Sequence, residues 1–99
     1  MEIRKNIEND KVELSIIGRL DTMTAPQLEE EINESVGECT KELVLDLKDL
    51  EYISSAGLRV LLGCQKMMNK QGSMKIKNVS SEVMEIFDVT GFSDILTIE

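Results

Sequence analysis

Two adjacent serines, Ser54 and Ser55, stand between an apolar strand exit, Tyr52-Ile53, and the small residues Ala56 and Gly57. A hydroxyl at such a junction can accept a hydrogen bond from a free N–H of the first helical turn, a cap worth about 0.5–2 kcal/mol. It can also carry a phosphate, because the unpaired N–H groups and the positive end of the helix dipole favour an anion. Phosphorylation adds about -1.5 to -2 in charge, which stabilises a helix start. A partner packed over the site would have to desolvate that charge, at several kcal/mol per buried ion. With about 1.4 kcal/mol per tenfold, such a complex weakens a thousandfold or more. The residues alone point first to two caps. Two serines where one cap suffices, beside neighbours too small to shield a hydroxyl, keep modification open.

Other chemistries find little support. The chain has no histidine, so neither a Ser-His nor a Cys-His mechanism can be assembled. G-x-S-x-G, G-x-G-x-x-G and G-x-x-x-x-G-K-[ST] are all absent. Acidic pairs such as Asp49 with Glu51 are commonplace in so acidic a chain, and a carboxylate-only hydrolase would need two acids facing one cleft. No catalytic residue is therefore assigned. Cys39 and Cys64 form no C-x-x-C pair, so no metal is expected, and no cofactor. Cys64 lies in apolar sequence and reads as core; Cys39 reads as a loop thiol.

The elements that must position the serines follow from periodicity. Met1 to Ile7 and Lys11 to Gly18 read as a strand pair around the turn residues Asn9-Asp10. Val12, Leu14 and Ile16 alternate with Lys11, Glu13 and Ser15, as in a half-buried strand. After a loop over 18–23, Thr24 fits an N-cap with Gln27 completing a capping box and Pro26 in the first turn. Leu28, Ile32 and Val36 form the buried stripe of that helix, and Gly37 stops it. Leu43 to Leu47 is a central strand, and Asp49 to Ile53 leads out of it. A largely buried helix spans about Ala56 to Lys70. Met74 to Lys77 is a strand. Ser80 or Ser81 caps a last helix with Val83, Ile86 and Phe87 inward and Gly91 beyond its end. Phe92 to Glu99 has room for a helical turn and a short strand.

The order β-β-α-β-α-β-α makes this an α/β fold, with a mixed sheet of about four to five strands and about three to four helices packed on it. Strands 11–18 and 43–47 flank the first helix, and a right-handed connection makes them parallel. The loops after them then share one edge, bringing Asp21-Thr22 near Ser54-Ser55. Open α/β sheets carry function at that edge.

At 99 residues the chain is of single-domain size. Its formal net charge of -8 disfavours nucleic acid and anionic lipid, so neither is expected as a partner. No signal segment or spanning apolar run is apparent, which predicts a cytoplasmic protein.

Four segments together resemble the STAS domain family of bacterial anti-sigma factor antagonists, over the whole of residues 1–99. They are Gly18-Arg19-Leu20-Asp21-Thr22, Leu43-Val44-Leu45-Asp46-Leu47, Ile53-Ser54-Ser55-Ala56-Gly57-Leu58 and Phe87-Asp88-Val89-Thr90-Gly91-Phe92. The resemblance implies a non-enzymatic regulator that switches partners. The unmodified domain would bind an anti-sigma factor with serine kinase activity and so release the sigma factor. Phosphorylation at the start of the second helix would end that binding, and a metal-dependent serine phosphatase would restore it. By position the acceptor is Ser55. One familiar form of the motif has Asp before the acceptor; this chain has Ser54, which is the rival acceptor. The implied partner surface comprises Asp21, Thr22, Met23, Ser54, Ser55, Ala56, Gly57 and Arg59, the last because it opens an otherwise apolar helix and should point outward. The same fold also serves scaffold and sensor-complex subunits. A small nucleotide-binding domain or enzyme is the alternative from another class.

Overall fold

The structure, a computed structural model, describes residues 1–99. Strand β1 (Glu2–Glu8) turns at Asn9-Asp10 into β2 (Lys11–Leu20), and the two pair antiparallel. Asn9 takes the left-handed conformation, φ 51°, that a short polar side chain tolerates. Helix α1 (Ala25–Ser35), β3 (Glu42–Asp46), β4 (Leu50–Ile53), α2 (Ser55–Gln71), β5 (Ser73–Lys77) and α3 (Ser81–Thr90) follow. A single 3₁₀ turn, Phe92–Asp94, precedes a parallel bridge between Ile98 and Ile76. The final turn and strand-like end thus fall where the sequence leaves room for them.

The five-stranded sheet is mixed, as expected. Strand β2 is its organising element. Residues 11–15 of β2 pair in parallel with β3, and β3 pairs in parallel with β5. Past an irregularity at Gly18/Arg19, residues 18–20 pair in parallel with β4. Strand β4 is the element the sequence did not announce, since Asp49 to Ile53 reads only as an exit segment. It forms because β2 outruns β3 and leaves backbone groups that need partners.

One apolar core joins the sheet to all three helices. The alternating residues Val12, Leu14 and Ile16 are all buried on the helix-covered face, with Leu43, Leu45, Met74 and Ile76 beside them. Helix α1 contributes Leu28 and Ile32, α2 contributes Leu58, Leu61, Cys64 and Met68, and α3 contributes Val83 and Phe87. Burial pushes the Cys64 thiol up to about 12, which leaves it an inert apolar group. Gln65 is the one polar residue of α2 in this interior. Its Oε1 accepts from the Thr97 N–H at 3.3 Å and its Nε2 donates to Asn69 Oδ1 at 2.9 Å, so the C-terminal segment is tied to α2. No helix is long and apolar enough to cross a membrane.

Candidate functional site

The site is built at the end of β2 and the end of β4. Leu20 and Ile53 are in register, and the Ser54 N–H donates to the Leu20 carbonyl at 2.8 Å. Asp21 and Ser54 therefore leave the sheet side by side, as the parallel-strand reasoning expects. The strand that does this is β4 rather than the 43–47 strand itself.

The first helix is capped differently from expectation. The Thr24 N–H donates to Asp21 Oδ1 at 3.0 Å, and the Asp21 N–H donates to Thr24 Oγ1 at 2.8 Å. This reciprocal pair is a capping box displaced one turn toward the N-terminus, with Asp21 as the cap. The Ala25 N–H already makes a helical bond to the Asp21 carbonyl at 2.8 Å. Thr24 itself makes no side-chain cap to α1, and Gln27 completes no box with it. The ionised carboxylate wins because charge-assisted hydrogen bonds are the stronger ones. The Thr24 N–H foremost, then the Thr24 hydroxyl, the Met23 N–H and the Arg19 charge, hold the Asp21 carboxyl below the usual carboxylate range against an opposing desolvation. Asp21 is thus an anion at neutral pH with its Oδ1 engaged by its own loop. That loop displays Thr22 and Met23 to solvent, Met23 at 86% exposure.

At the second helix the two serines part roles. Ser54, with φ -95° and ψ 173°, is the N-cap, and its Oγ accepts from the Gly57 N–H at 3.3 Å. Ser55 is the first helical residue, one position earlier than the expected start at Ala56. It is exposed, and its hydroxyl takes no part in the cap. The expectation of two caps is corrected to one, because a single oxygen satisfies the donor and Ser55 already has helical backbone. Ser54→Ala is expected to lower stability by about 1 kcal/mol through loss of that cap. Ser55→Ala should stay within about 0.5 kcal/mol. Urea midpoints of the two variants measure the difference, and equal losses would refute the division.

Of the expected partner surface, Asp21, Ser54 and Ala56 are half-buried, and Thr22, Met23, Ser55 and Arg59 are exposed. Thr22, Ala56 and Arg59 share a shallow depression of about 220 Å³ with Pro26, Glu29 and Val60. Gly57 does not belong to that surface. It is buried, and a Cβ there would sit 2.7 Å from Leu20 Cγ and 3.0 Å from Ile53 Cγ1. Its role is to let α2 start close against β2 and β4.

Arg19 and Tyr52 were missed by the sequence reading. The Arg19 guanidinium lies 4.4 Å from the Tyr52 ring centroid, and its Nε stands 4.0 Å from Asp21 Oδ2. Recognition of β4 would have revealed the pair, since Arg19 and Tyr52 are partners in register. The arrangement can offer a partner two cations, Arg19 and Arg59, the Asp21 anion, the Met23 thioether and the open hydroxyl of Ser55. No group of three or more His, Cys, Asp and Glu side chains converges as a metal site would require.

Comparison with known proteins places the chain among relatives. The family model described as the STAS domain matches residues 1–99. The anti-sigma-B factor antagonist of Bacillus subtilis (strain 168) is 38% identical over 99 residues, covering 99% of this chain and 88% of the relative. The anti-sigma-B factor antagonist of Staphylococcus aureus (strain NCTC 8325 / PS 47) is 27% identical over 97 residues, covering 97% and 90%. The crystal structure of an anti-sigma factor antagonist from Mycobacterium paratuberculosis superimposes with a TM-score of 0.87 at 23% identity, covering 98% of this chain and 83% of that one. At that identity it speaks for the fold alone.

Proposed function

The chain belongs to the STAS domain family, and from that premise we propose that it is an anti-sigma factor antagonist switched by phosphorylation of Ser55. In its unmodified form it binds an anti-sigma factor that is also a serine kinase, and the sigma factor is released. The kinase esterifies the Ser55 hydroxyl with the γ-phosphoryl group of ATP, leaving ADP, and a metal-dependent serine phosphatase hydrolyses the ester. The protein itself is a substrate and a ligand, not an enzyme, and acts in the cytoplasm.

The exposed hydroxyl of Ser55 at the first position of α2, free of the cap that Ser54 supplies, carries this reading. A kinase must bring that oxygen in line with a phosphoryl group, and a hydroxyl committed to a backbone N–H is harder to take. That favours Ser55 over Ser54 as acceptor. The docking surface proposed is the edge around it: Asp21, Thr22 and Met23 from the β2–α1 turn, with Ser54, Ser55, Ala56 and Arg59 from the start of α2. Gly57 supports this surface from below.

The reaction is tested by incubating the protein with its cognate kinase and ATP and mapping the product by tandem mass spectrometry. A single phosphate on Ser55 is expected, and none on the Ser55→Ala variant. Label confined to Ser54 or to a distant residue would overturn the assignment.

A further inference from the structure

A groove of about 240 Å³ runs between α1 and α2, away from the serines. Its α2 side is built by Arg59, Val60, Gly63, Cys64 and Met67, with Val60, Gly63 and Met67 spaced as one helical face, and Ile32 of α1 closes it opposite. Gly63 has no role in the chain's own packing. A Cβ there would meet nothing within 4 Å, and its backbone is not in the left-handed region that favours glycine. Yet it sits inside a helix of 17 residues. Glycine in a helix interior lowers the folding equilibrium about fivefold relative to alanine. Gly57, six residues earlier, is glycine because Leu20 and Ile53 leave no space; at Gly63 the space lies outside the molecule.

We infer that this groove receives an amphipathic helix of the anti-sigma partner, with an apolar side chain seated over Gly63 and basic residues along the flank facing α1. The inference rests on the docking reading above and extends it beyond the serine edge. The two surfaces are continuous, since Glu29, Arg59 and Val60 border both this groove and the depression beside Ala56. A third helix fits a helix pair by ridges into grooves, and the closest axial approach needs a small residue at the contact. Half-buried Val60 and Met67 flank Gly63 and leave a seat for one large apolar anchor. On α1, Glu29 lines the groove together with Arg59 of α2, and Glu30 and Glu34 lie beside it in an adjoining depression that shares Glu29 and Asn33. That row of acids, on a chain of net charge -8, selects a basic flank.

The test is calorimetric titration of the unphosphorylated protein with its purified anti-sigma kinase. Gly63→Trp fills the seat and is expected to weaken binding at least about tenfold, a difference of about 1.4 kcal/mol. Gly63→Ala should raise the thermal midpoint, which shows that the position tolerates a side chain. Glu30→Lys combined with Glu34→Lys should also weaken binding and flatten its salt dependence. Wild-type affinity in Gly63→Trp beside a weakened Ser55→Asp overturns the groove alone. Wild-type affinity in both variants overturns the docking reading and the groove with it. A wild-type dimer in analytical ultracentrifugation that Gly63→Trp dissociates would make the occupant a second copy of this chain, against the proposal.

Discussion

Ser55→Asp is expected to weaken binding to the anti-sigma partner about a hundredfold or more, while leaving the fold as stable as before. A carboxylate at the first position of α2 carries one charge where a phosphate carries about two. Seated under a partner, that charge must shed water, and a buried ion without a counter-charge is penalised by several kcal/mol. About 2.8 kcal/mol already corresponds to a hundredfold. The local response of the helix has the opposite sign. An anion in the first turn gains about 0.3–1 kcal/mol from the helix dipole, and Ser55 contributes no cap that the substitution would remove. Lost binding together with an unchanged or raised thermal midpoint is therefore the signature, and it separates a switch from a folding defect. Ser55→Ala should bind as the wild type does and resist the kinase. If Ser55→Asp bound with wild-type affinity, docking across the start of α2 would have to be abandoned.

Much of the fold could be read in advance because it rests on patterns that recur over several residues. Val12, Leu14 and Ile16 alternate without interruption, and all three are buried on one face. Leu43 to Leu47 reads as a central strand and has β2 on one side and β5 on the other. The meeting of Asp21 with Ser54 was legible too, since it needs only parallel strands and their shared edge. Strand β4 was not. Leu50-Glu51-Tyr52-Ile53 is too short to show a period, and what makes it a strand is the free edge of β2 at residues 18–20. The Arg19–Tyr52 stack was hidden with it.

The helix starts show a second kind of limit. Asp21-x-x-Thr24 and Thr24-x-x-Gln27 are both acceptable capping signals, and the sequence holds them in overlap. The sheet decides between them, because β2 delivers Asp21 in position to receive the Met23 and Thr24 N–H groups. Ser54 and Ser55 are likewise indistinguishable as residue types, and one residue of register gives the cap to the first and exposure to the second. Gly57 and Gly63 look alike in the sequence. Only their surroundings show that one is filled from within the chain and the other is open. The proposed switching role rests on family membership, to which the physics of the helix start adds a place where a phosphate is tolerated.

Phe87→Ala is the substitution expected to damage stability most, by about 3–5 kcal/mol. Phe87 is wholly buried on α3, and α3 lies against β4, the strand that delivers Ser54 and Ser55 to the surface. Removing the ring takes away the transfer energy of the largest side chain in the core and leaves a void that close-packed neighbours fill only in part. Domains of this size are stable by only about 5–15 kcal/mol, so the loss is a large fraction of the whole. At about 4–8 °C per kcal/mol the thermal midpoint should fall by at least about 12 °C. Chemical and thermal unfolding measure this directly, and a fall below about 4 °C would mean that α3 contributes far less than its burial indicates. The substitution changes no residue of the proposed docking edge. Well below its lowered midpoint, the folded fraction should still bind the partner. Ser55→Asp should show the reverse, with stability kept and binding lost. Together the two variants separate the residue proposed to signal from the packing that holds it in place.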